Sequence, residues 1–424
     1  MLNLVAVLVL AALGATTVAG FKYQSLSEQG KRAVHEIFRT TVQFYRAVVY
    51  FLRGGKYSEC KEFGENKRAL IHIFSLCLNF KIWSNESYRE GTYQDDLRRN
   101  LRNVAIPGTG IPLSVFMYTK VTAYMMLFIV YPIACFVSAV RIGEKDMVRI
   151  CDAYKGELLM PSNWFFYWRL NSVLAAWHAM VTKEEDYKLE DKLTFLQVAQ
   201  DKDIGVTPFM DIPAIICKHR NEEGGLGYQF FSNAVCGGDW IIQEVLSNES
   251  PIKELLPSNA PLSTFRVITV SNPETQEVTP LTCVWRAGMA GAKTDHTAIF
   301  FDVDAEKGVF RDGARNPNWY KIGLPNKLLD TEHGITHHPD SKIKIEGAEI
   351  DGKAITEFAK RAHERMMPKI PISGWDVALT NKGMVMLECN LSCNFFLGKF
   401  DLDKYNEFAD SYFKLLEKRE AESK

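Results

Sequence analysis

The stretch from Gly374 to Asn390, GWDVALTNKGMVMLECN, constrains the fold most, because it predicts a tight β-hairpin. Two runs of apolar, β-prone residues flank the turn sequence Asn-Lys-Gly at residues 381–383. Such a turn favours a three-residue loop with glycine in the left-handed position. A loop of that length makes Thr380 face Met384, which fixes the register of the whole hairpin.

That register places Asp376 directly opposite Glu388, and Asn390 follows two residues later on the same face. Opposed side chains have Cβ atoms about 4.5–5.5 Å apart, a separation at which like charges destabilise the pair. A bound cation removes the repulsion, and oxygen donors of this kind suit Mg²⁺. The alternative is a solvent-exposed hairpin face on which water screens both carboxylates. The hairpin therefore predicts a magnesium site and leaves the hydrated alternative open.

The composition of the chain does not indicate a general nucleic-acid-binding protein. Its 424 residues include 50 lysines and arginines and 51 aspartates and glutamates, for a formal net charge of −1. No long basic run is present. The length allows two or three domains, each with an ample core.

Two uncharged segments, residues 2–20 and 121–140, are apolar enough to cross a membrane. As helices, both are long enough to span the hydrocarbon core of about 30 Å. The first is a signal peptide or a signal anchor, and the second is a transmembrane helix or a buried core helix. If the first enters with its N terminus in the cytosol, residues 21–120 are lumenal and residues 141–424 return to the cytosol.

Two features agree with this topology. Cys60 and Cys77 form an even pair within the lumenal part, and Asn85 begins a glycosylation sequon, NES. The opposite orientation is favoured by basic residues that follow the first segment: Lys22, Lys31 and Arg32. We expect a protein anchored in an endomembrane or the plasma membrane, with its C-terminal region in the cytosol.

The remaining sequence divides into a helical part and an α+β part. Residues 21–120 and 141–184 show apolar positions at helical spacing, and a helical pattern resumes after residue 185. Alternating strands, one helix and a charged C-terminal helix follow. The predicted strands cover residues 214–218, 228–232, 240–246, 264–270, 281–288, 298–304 and 308–310, and the helix covers residues 355–367.

A glycine-rich loop joins the first two strands. Lys218 ends one strand, and Gly224, Gly225 and Gly227 follow in the loop. Backbone N–H groups of such a loop can lie over phosphates while the lysine neutralises their charge. The glycine hairpin alone is weak evidence, and GAKT at residues 291–294 lacks the spacing of a Walker A loop.

Two further features suit a nucleotide. The segment 240–246 carries Gln243 and Glu244, which either meet an adenine edge and a ribose or simply end a strand. Arg266 and Arg286 stand within apolar strands, where a guanidinium needs an anionic partner. That partner is a ligand phosphate or carboxylate, or a structural acidic residue.

In this order, the segments resemble the ATP-grasp fold, in the group associated with sugar transfer and related to α-L-glutamate ligases. The resemblance rests on EDKLTFLQVAQDKDIGVTP, IICKHRNEEGGLG, WIIQEVL, STFRVITV and the hairpin, and covers about residues 185–400. It implies an α+β fold with two subdomains that clamp ATP. A mostly helical, membrane-associated region precedes this fold, and a C-terminal helix with a charged tail follows at residues 401–424.

The resemblance also assigns roles to individual residues. It implies that ATP is held by two lysines, the glycine loop and a hinge: Lys192, Lys218, Gly224, Gly225, Gly227, Gln243, Glu244, Val245 and Leu246. It implies that Asp376, Glu388 and Asn390 bind magnesium. It gives catalytic roles near the γ-phosphate and the substrate carboxylate to Lys218, Arg266 and Arg286.

The activity implied by the resemblance is an ATP- and Mg²⁺-dependent ligase, with two metal ions. Such an enzyme joins a small-molecule carboxylate to an amine or a thiol through an acyl-phosphate. One alternative keeps the fold and transfers phosphate to a hydroxyl group. Another is a nucleotide-binding pseudoenzyme that regulates a membrane partner.

Overall fold

The structure is a computed structural model that describes residues 23–105, 111–162, 164–221, 227–315, 331–395 and 397–423. A helical region comes first and an α+β region follows, as the sequence predicts. The α-helices are α1 Glu28–Leu52, α2 Lys67–Lys81, α3 Tyr93–Asn100, α4 Lys120–Gly143, α5 Met147–Leu159, α6 Trp164–Thr182, α7 Lys192–Asp201, α8 Ile252–Leu255, α9 Gly352–Met366 and α10 Leu402–Glu422. Helix α4 contains a π-helical turn at Met126–Val130.

Several helices begin where a polar side chain satisfies one of their free N–H groups. The Ser27 hydroxyl accepts a hydrogen bond from the Gly30 N–H at the start of α1. Thr92 and Asp95 form a reciprocal capping box at α3, and Asp401 caps α10. Such caps each stabilise a helix by about 0.5–2 kcal/mol.

One hydrophobic core joins the helical region to the C-terminal helix α10. The Phe413 ring on α10 packs against Phe74 of α2, with ring centroids 5.0 Å apart. Tyr57 follows α1, and its hydroxyl donates a 2.8 Å hydrogen bond to the Asp410 carboxylate on α10. The two ends of the described chain therefore fold as one unit.

This core contradicts the predicted topology, in which a membrane separates residues 21–120 from residues 141–424. The buried hydroxyls of Thr41 on α1 and Tyr154 on α5 lie 2.9 Å apart. Such contacts cannot form across a bilayer with a core of about 30 Å. The described parts of both stretches therefore pack together, which the predicted topology does not allow.

Helix α4 covers the second apolar segment. Within the described ranges it is the one helix long and apolar enough to cross a membrane, and 56% of its most apolar window is buried. The hydroxyl of Tyr131 lies 2.8 Å from Nε2 of His72 on α2. Length and composition are weak evidence for a membrane span, because a core helix has the same properties. The packing of α4 matches the core-helix alternative.

The cysteines give no support to a lumenal location. Cys60 and Cys77 are both free thiols. The Cys77 sulfur donates instead to the backbone oxygen of Val48, 3.8 Å away. Cys389 and Cys393 are buried free thiols too.

The described strands of the α+β region are β1 Ala214–Cys217, β2 Gln229–Ser232, β3 Thr264–Ser271, β4 Val278–Ala287, β5 Ile299–Asp304, β6 Val309–Arg315, β7 Glu332–Ile335, β8 Ile372–Thr380 and β9 Gly383–Asn390. Seven of them form the central antiparallel sheet, in the order β7-β6-β5-β4-β3-β8-β9. Strands β1 and β2 form a separate antiparallel pair.

Both faces of the sheet are covered. Val267 belongs to the hydrophobic core shared with Phe358 on α9, whereas its neighbour Ile268 packs into the core of the helical region. Successive residues of a strand point to opposite faces, so one strand can serve both cores. The sheet thus lies between α9 and the helical region.

Three strand predictions need correction. Residues 240–246 are not a strand, because they pair only through isolated bridges, from Trp240 to Asn233 and from Gln243 to Phe209. Strand β6 runs to Arg315, well past the predicted residues 308–310. Strand β7 was missed, because its short, mostly exposed sequence, EHGI, has little apolar pattern.

Candidate functional site

The hairpin of β8 and β9 has a shorter loop than predicted. Thr380 pairs with Gly383 and not with Met384, so only residues 381–382 lie between the paired positions. Gly383 has a φ of 89°, in the left-handed region where glycine carries no steric penalty. The predicted role of this glycine is confirmed, but the register next to the turn differs by one residue.

A β-bulge restores the predicted carboxylate pair. Val377 pairs with Met386, whereas Asp376 pairs with Glu388, which leaves Leu387 as the extra residue on β9. A bulge of this kind shifts the register by one residue. Asp376 and Glu388 are therefore cross-strand neighbours, as the sequence predicts.

Two arginines neutralise Asp376. Arg266 Nε on β3 lies 2.6 Å from one carboxylate oxygen, and Arg286 Nη2 on β4 lies 2.8 Å from the other. All three side chains are buried. Burial alone raises the pKa of Asp376, but Arg266 and Arg286 outweigh it and hold the pKa below its ordinary value. The anionic partner of both arginines is therefore an acidic residue of the protein itself, Asp376, which is one of the two alternatives that the sequence leaves open.

Glu388 has a different partner and is more accessible. The Lys192 ammonium lies 2.8 Å from its carboxylate, and the Glu388 side chain is 27% exposed. Lys192 opens helix α7, which the side chain of Asp191 caps. Burial lowers the pKa of Lys192, but the adjacent Glu388 and Asp376 raise it above its ordinary value. Asn390 Nδ2 donates to Glu388 at 3.4 Å.

These residues fit a magnesium ion only in part. Glu388 and Asn390 provide the oxygen donors that Mg²⁺ prefers. Both carboxylate oxygens of Asp376 already accept from guanidinium groups, so Asp376 could bind a metal ion only through its remaining lone pairs and beside two cations. No cluster of three His, Cys, Asp or Glu side chains suited to a metal occurs in the described part of the chain.

An open cleft of about 360 Å³ lies beside this cluster. This size matches typical small-molecule pockets of about 300–1,000 Å³. Seven of the predicted site residues line it: Lys192, Gln243, Glu244, Leu246, Arg286, Asp376 and Glu388. The structure thus brings together the predicted hinge, one predicted phosphate lysine and the carboxylate pair.

The predicted hinge, residues 243–246, reaches the cleft because it packs against the hairpin of β8 and β9. Leu246 packs against Ala378 and Val385 in a small apolar cluster. The Glu244 carboxylate lies 3.2 Å from the ammonium of Lys382 in the hairpin turn. These contacts hold residues 243–246 beside β8 without a regular strand.

Other predicted residues do not line the cleft. Arg266 binds Asp376 and Asn390 binds Glu388, and these two carboxylates line the cleft. Val245 is 91% exposed. Lys218 is exposed just after β1, in the separate two-stranded sheet.

The glycine loop is described only at its end. Gly227 has a φ of 68°, so this position needs a residue that tolerates the left-handed conformation. The Gly227 carbonyl accepts a hydrogen bond from the His219 N–H at 3.2 Å. Gly224 and Gly225 lie outside the described residues.

The sequence reasoning missed a second acidic group in the cleft. Asp295 lies 3.1 Å from Nε of Arg286 and accepts a 2.6 Å hydrogen bond from the Thr264 hydroxyl. Burial raises the pKa of Asp295 above its ordinary value, although Arg286 opposes the effect. Lys293 and Thr294 line the cleft as well. The GAKT segment is not a Walker A loop, yet it supplies cleft residues.

Comparison with known proteins confirms the predicted resemblance over part of the chain. Residues 229–399 match the family described as sugar-transfer associated ATP-grasp. The α+β region therefore has an ATP-grasp fold. No curated protein sequence matches the chain.

Two solved structures are similar to the chain at low identity. One is N5-carboxyaminoimidazole ribonucleotide synthetase from Thermotoga maritima, with 12% identity, a TM-score of 0.22, and coverage of 48% of this chain and 42% of that one. The other is a biotin carboxylase–β-γ-ATP complex from Campylobacter jejuni, with 11% identity, a TM-score of 0.28, and coverage of 65% and 59%. The chain spans less than two thirds of either protein.

Proposed function

We propose that this chain, with its sugar-transfer associated ATP-grasp region, is an ATP- and Mg²⁺-dependent ligase that joins a carboxylate to an amine or a thiol. The observation that supports the proposal best is the composition of the cleft. It combines apolar residues with a group of cations around the Asp376–Glu388 pair. A nucleotide needs both surfaces, since its base is apolar and its phosphates are anionic.

The two parts of ATP have matching residues in the cleft. Ile241, Leu246 and Leu262 provide apolar surface for an adenine ring. Lys192 and Lys293 provide ammonium groups for phosphates. Charge-assisted hydrogen bonds to phosphate are roughly twice as strong as neutral ones.

The proposed chemistry has two steps. The substrate carboxylate attacks the γ-phosphorus of ATP, so that ADP leaves and an acyl-phosphate forms. The amine or thiol then attacks the acyl carbon, and inorganic phosphate leaves. Lys192, Lys293 and Arg286 would stabilise the negative charge that develops on the transferred phosphoryl group.

Magnesium and Arg266 support these steps. Glu388 and Asn390 would hold Mg²⁺, which when bound neutralises part of the phosphate charge. Arg266 binds one oxygen of Asp376 and leaves the other to Arg286. Arg266 therefore fixes the carboxylate of Asp376, and this carboxylate positions Arg286 in the cleft. Arg266 does not need to touch the substrate.

A trapping experiment tests the reaction class. The full chain is incubated with ATP, Mg²⁺ and a pool of small metabolites, and products are identified by mass spectrometry. Hydroxylamine in place of the amine should convert the acyl-phosphate to a hydroxamate, with one ADP released per product. A stable phosphorylated product would instead show a phosphotransferase. ATP binding without any turnover would show a pseudoenzyme.

Lys218→Met is expected to weaken ATP binding by about 1.5–3 kcal/mol, the value of a hydrogen bond to a charged group. The proposal assigns the ammonium of Lys218 to a phosphate, although this side chain lies outside the cleft lining. Calorimetric titration with ATP·Mg²⁺ measures the change. Lys202→Met, at an exposed lysine after α7, is the matched control and should bind normally. If Lys218→Met and the wild-type chain bind ATP·Mg²⁺ with equal affinity, Lys218 is an ordinary surface lysine.

We further propose that residues 2–20, which lie outside the described residues, anchor the protein with everything after them in the cytosol. The common core of the described chain supports a single compartment, and ATP is plentiful in the cytosol. Lys22, Lys31 and Arg32 suit this orientation. Protease added to sealed microsomes should digest both the helical region and α10. A glycan on the exposed Asn85 would contradict the proposal.

A further inference from the structure

We propose that helix α4 lies flat on an anionic membrane surface, with one of its sides in contact with the lipids. The residues on this side are apolar and exposed or partly exposed, and they form an outer line at four-residue spacing: Val121, Met125, Ile129, Ile133 and Val137. Val121, Met125 and Val137 are 69%, 49% and 53% exposed. None of the residues that line the cleft lies on α4, so the proposal does not depend on the function of the cleft.

The opposite side of α4 is buried. Two residues turn an α-helix by about 200°, so the residues two positions after the outer line point the other way. They form an inner line that packs in the hydrophobic core of the helical region: Ala123, Leu127, Tyr131, Cys135 and Ala139. Both lines of α4 are therefore apolar, although only the inner line has the core as its reason.

A surface helix ordinarily has polar residues on the side that faces water. Helix α9 shows this pattern, because all of its exposed positions are charged: Lys353, Glu357, Arg361, Glu364 and Arg365. On α4, no charged residue occurs between Lys120 and Arg141. The apolar outer line thus departs from the pattern that the same protein uses elsewhere.

The π-helical turn at Met126–Val130 helps to keep the outer line on one side of the helix. Four residues advance slightly more than one turn of 3.6 residues, so a line at this spacing drifts around a regular α-helix. A π-turn contains more residues and offsets the drift. The outer line extends about 24 Å from Val121 to Val137, at about 1.5 Å per residue.

The exposed apolar surface continues before α4. Ile111, Val115 and Tyr118 are exposed as well, and Val115 belongs to a 3₁₀-helix at Leu113–Met117. Tyrosine is enriched at membrane interfaces, where its ring contacts lipid and its hydroxyl contacts water. Single exposed apolar residues are common on soluble proteins, but a continuous patch marks an interaction surface.

The charge around this surface is positive. Residues 97–143 contain five arginines and lysines and no aspartate or glutamate, whereas the whole chain has 50 basic and 51 acidic residues. Three of the five cations are exposed and have no ion-pair partner among the described residues: Arg102, Lys120 and Arg141. Lys120 and Arg141 bracket the outer line. The surface therefore attracts an anionic partner.

The remaining two cations, Arg98 and Arg99, lie 3.8 Å from Asp95 and Asp96. The Arg98 guanidinium also lies over the ring of Tyr118, 4.9 Å from its centroid. This contact places a cation directly beside the exposed tyrosine. A basic and an aromatic side chain thus adjoin the apolar surface at its N-terminal end.

This combination favours an anionic bilayer over a protein partner. Acidic headgroups attract arginine and lysine, and the apolar face of an interfacial helix enters the headgroup and acyl boundary by about 5–10 Å. The outer line has no nitrogen or oxygen in its side chains. Protein interfaces contain about one hydrogen bond per 100–200 Å², whereas acyl chains need none.

The neighbouring helix α1 shows why α4 lies on the bilayer and does not cross it. Tyr45 on α1 donates a 2.6 Å hydrogen bond to the backbone oxygen of Phe128 on α4. Along its length α1 exposes Arg32, Arg39 and Arg46, and such charges are costly in hydrocarbon. Only the outer side of α4 can therefore meet the lipids.

Photolabelling of the full chain tests this surface. Vesicles of phosphatidylserine and phosphatidylcholine carry a lipid with a diazirine in its acyl chain, and the labelled residues are mapped by mass spectrometry. The outer line should be labelled and the inner line should not. Ile216 and Phe230, exposed on the two-stranded sheet, should remain unlabelled. Because labels are assigned to residues, vesicle binding through residues 2–20 does not obscure the result.

The charge and the apolar face are tested separately. Vesicles of phosphatidylcholine alone should give several-fold less labelling of α4, because the cations lose their attraction. Lys120→Gln combined with Arg141→Gln should cause a similar loss on the anionic vesicles. Met125→Glu combined with Val137→Glu should abolish labelling of the outer line. Ile343→Glu, at an exposed isoleucine outside the helical region, is the matched control and should change nothing.

The substituted positions are on the surface, so the melting temperature should be that of the wild-type chain. If the double glutamate variant fails to fold, the Lys120 and Arg141 variant still tests the proposal. Absence of labelling on α4 with anionic vesicles would overturn it. Equal labelling of both lines would show a membrane span, and equal labelling on neutral vesicles would show that the cations have no part. Light scattering without lipid tests for a second copy, and a dimer that Met125→Glu dissociates would contradict membrane docking.

Discussion

Glu388→Gln is expected to abolish ATP-dependent turnover and to leave the fold intact. The substitution keeps the shape of the side chain but removes the charge that the proposed Mg²⁺ ion requires. Glu388 forms an ion pair with the exposed side chain of Lys192, and pairs with an exposed partner contribute about 0–1 kcal/mol to stability. ADP release measures turnover, and thermal unfolding measures the fold.

The control for this variant is Glu364→Gln, at a partly exposed carboxylate on α9 that also pairs with a lysine, Lys360. It removes one negative charge outside the cleft lining and should leave ADP release unchanged. If Glu388→Gln retains wild-type turnover, Glu388 has no part in catalysis. If it loses turnover together with the melting transition, the loss reports folding and the proposed metal role fails.

The carboxylate pair was predictable from the sequence although the turn was not. The Gly383 signal and the apolar runs on either side determine that a hairpin forms. The loop is one residue shorter than expected, and the bulge at Leu387 adds one residue back. The two differences cancel at Asp376 and Glu388. Nothing in the local sequence reveals a bulge, since its causes lie in the packing around it.

The arginine partners could not be chosen from the sequence. Arg266 is 110 residues from Asp376 along the chain. The two meet because β3 and β8 are neighbours in the sheet, with Arg266 paired to Asp376 in register. Sequence patterns predict strands but not their order, so phosphate and acidic partners remained equal alternatives. For the same reason Asp295 was not recognised as a neighbour of Arg286.

The membrane topology failed for a different physical reason. Hydropathy measures the composition of a segment and not what surrounds it. Helix α4 is apolar because half of it packs against other helices, including α2, where Tyr131 meets His72. A membrane span and a core helix place the same residues out of water. Only tertiary contacts distinguish them.

Asp376→Ala is expected to destabilise the protein by about 3–5 kcal/mol, in contrast to Glu388→Gln. The substitution removes the carboxylate that the buried guanidinium groups of Arg266 and Arg286 share, and Arg286 keeps its contact with Asp295. Removal of one partner from a buried ion pair leaves an uncompensated charge in a low dielectric. The free energy of unfolding, from urea denaturation at neutral pH, measures the loss. Asp312→Ala, at a partly exposed carboxylate paired with Lys399, is the control and should change stability little.

The pH dependence of stability provides a second measurement on the same pair. The pKa of Asp376 in the folded protein is below its ordinary value, because Arg266 and Arg286 favour the charged form over the opposing effect of burial. Its stabilising contribution is therefore complete at neutral pH. It is lost as the pH falls below about 4, the ordinary range of an aspartate, and through the lower folded-state pKa. Wild-type stability should fall over this interval more steeply than that of Asp376→Ala. Parallel pH profiles would show that Asp376 does not hold its charge against the two arginines, and would contradict the ion-pair account of the site.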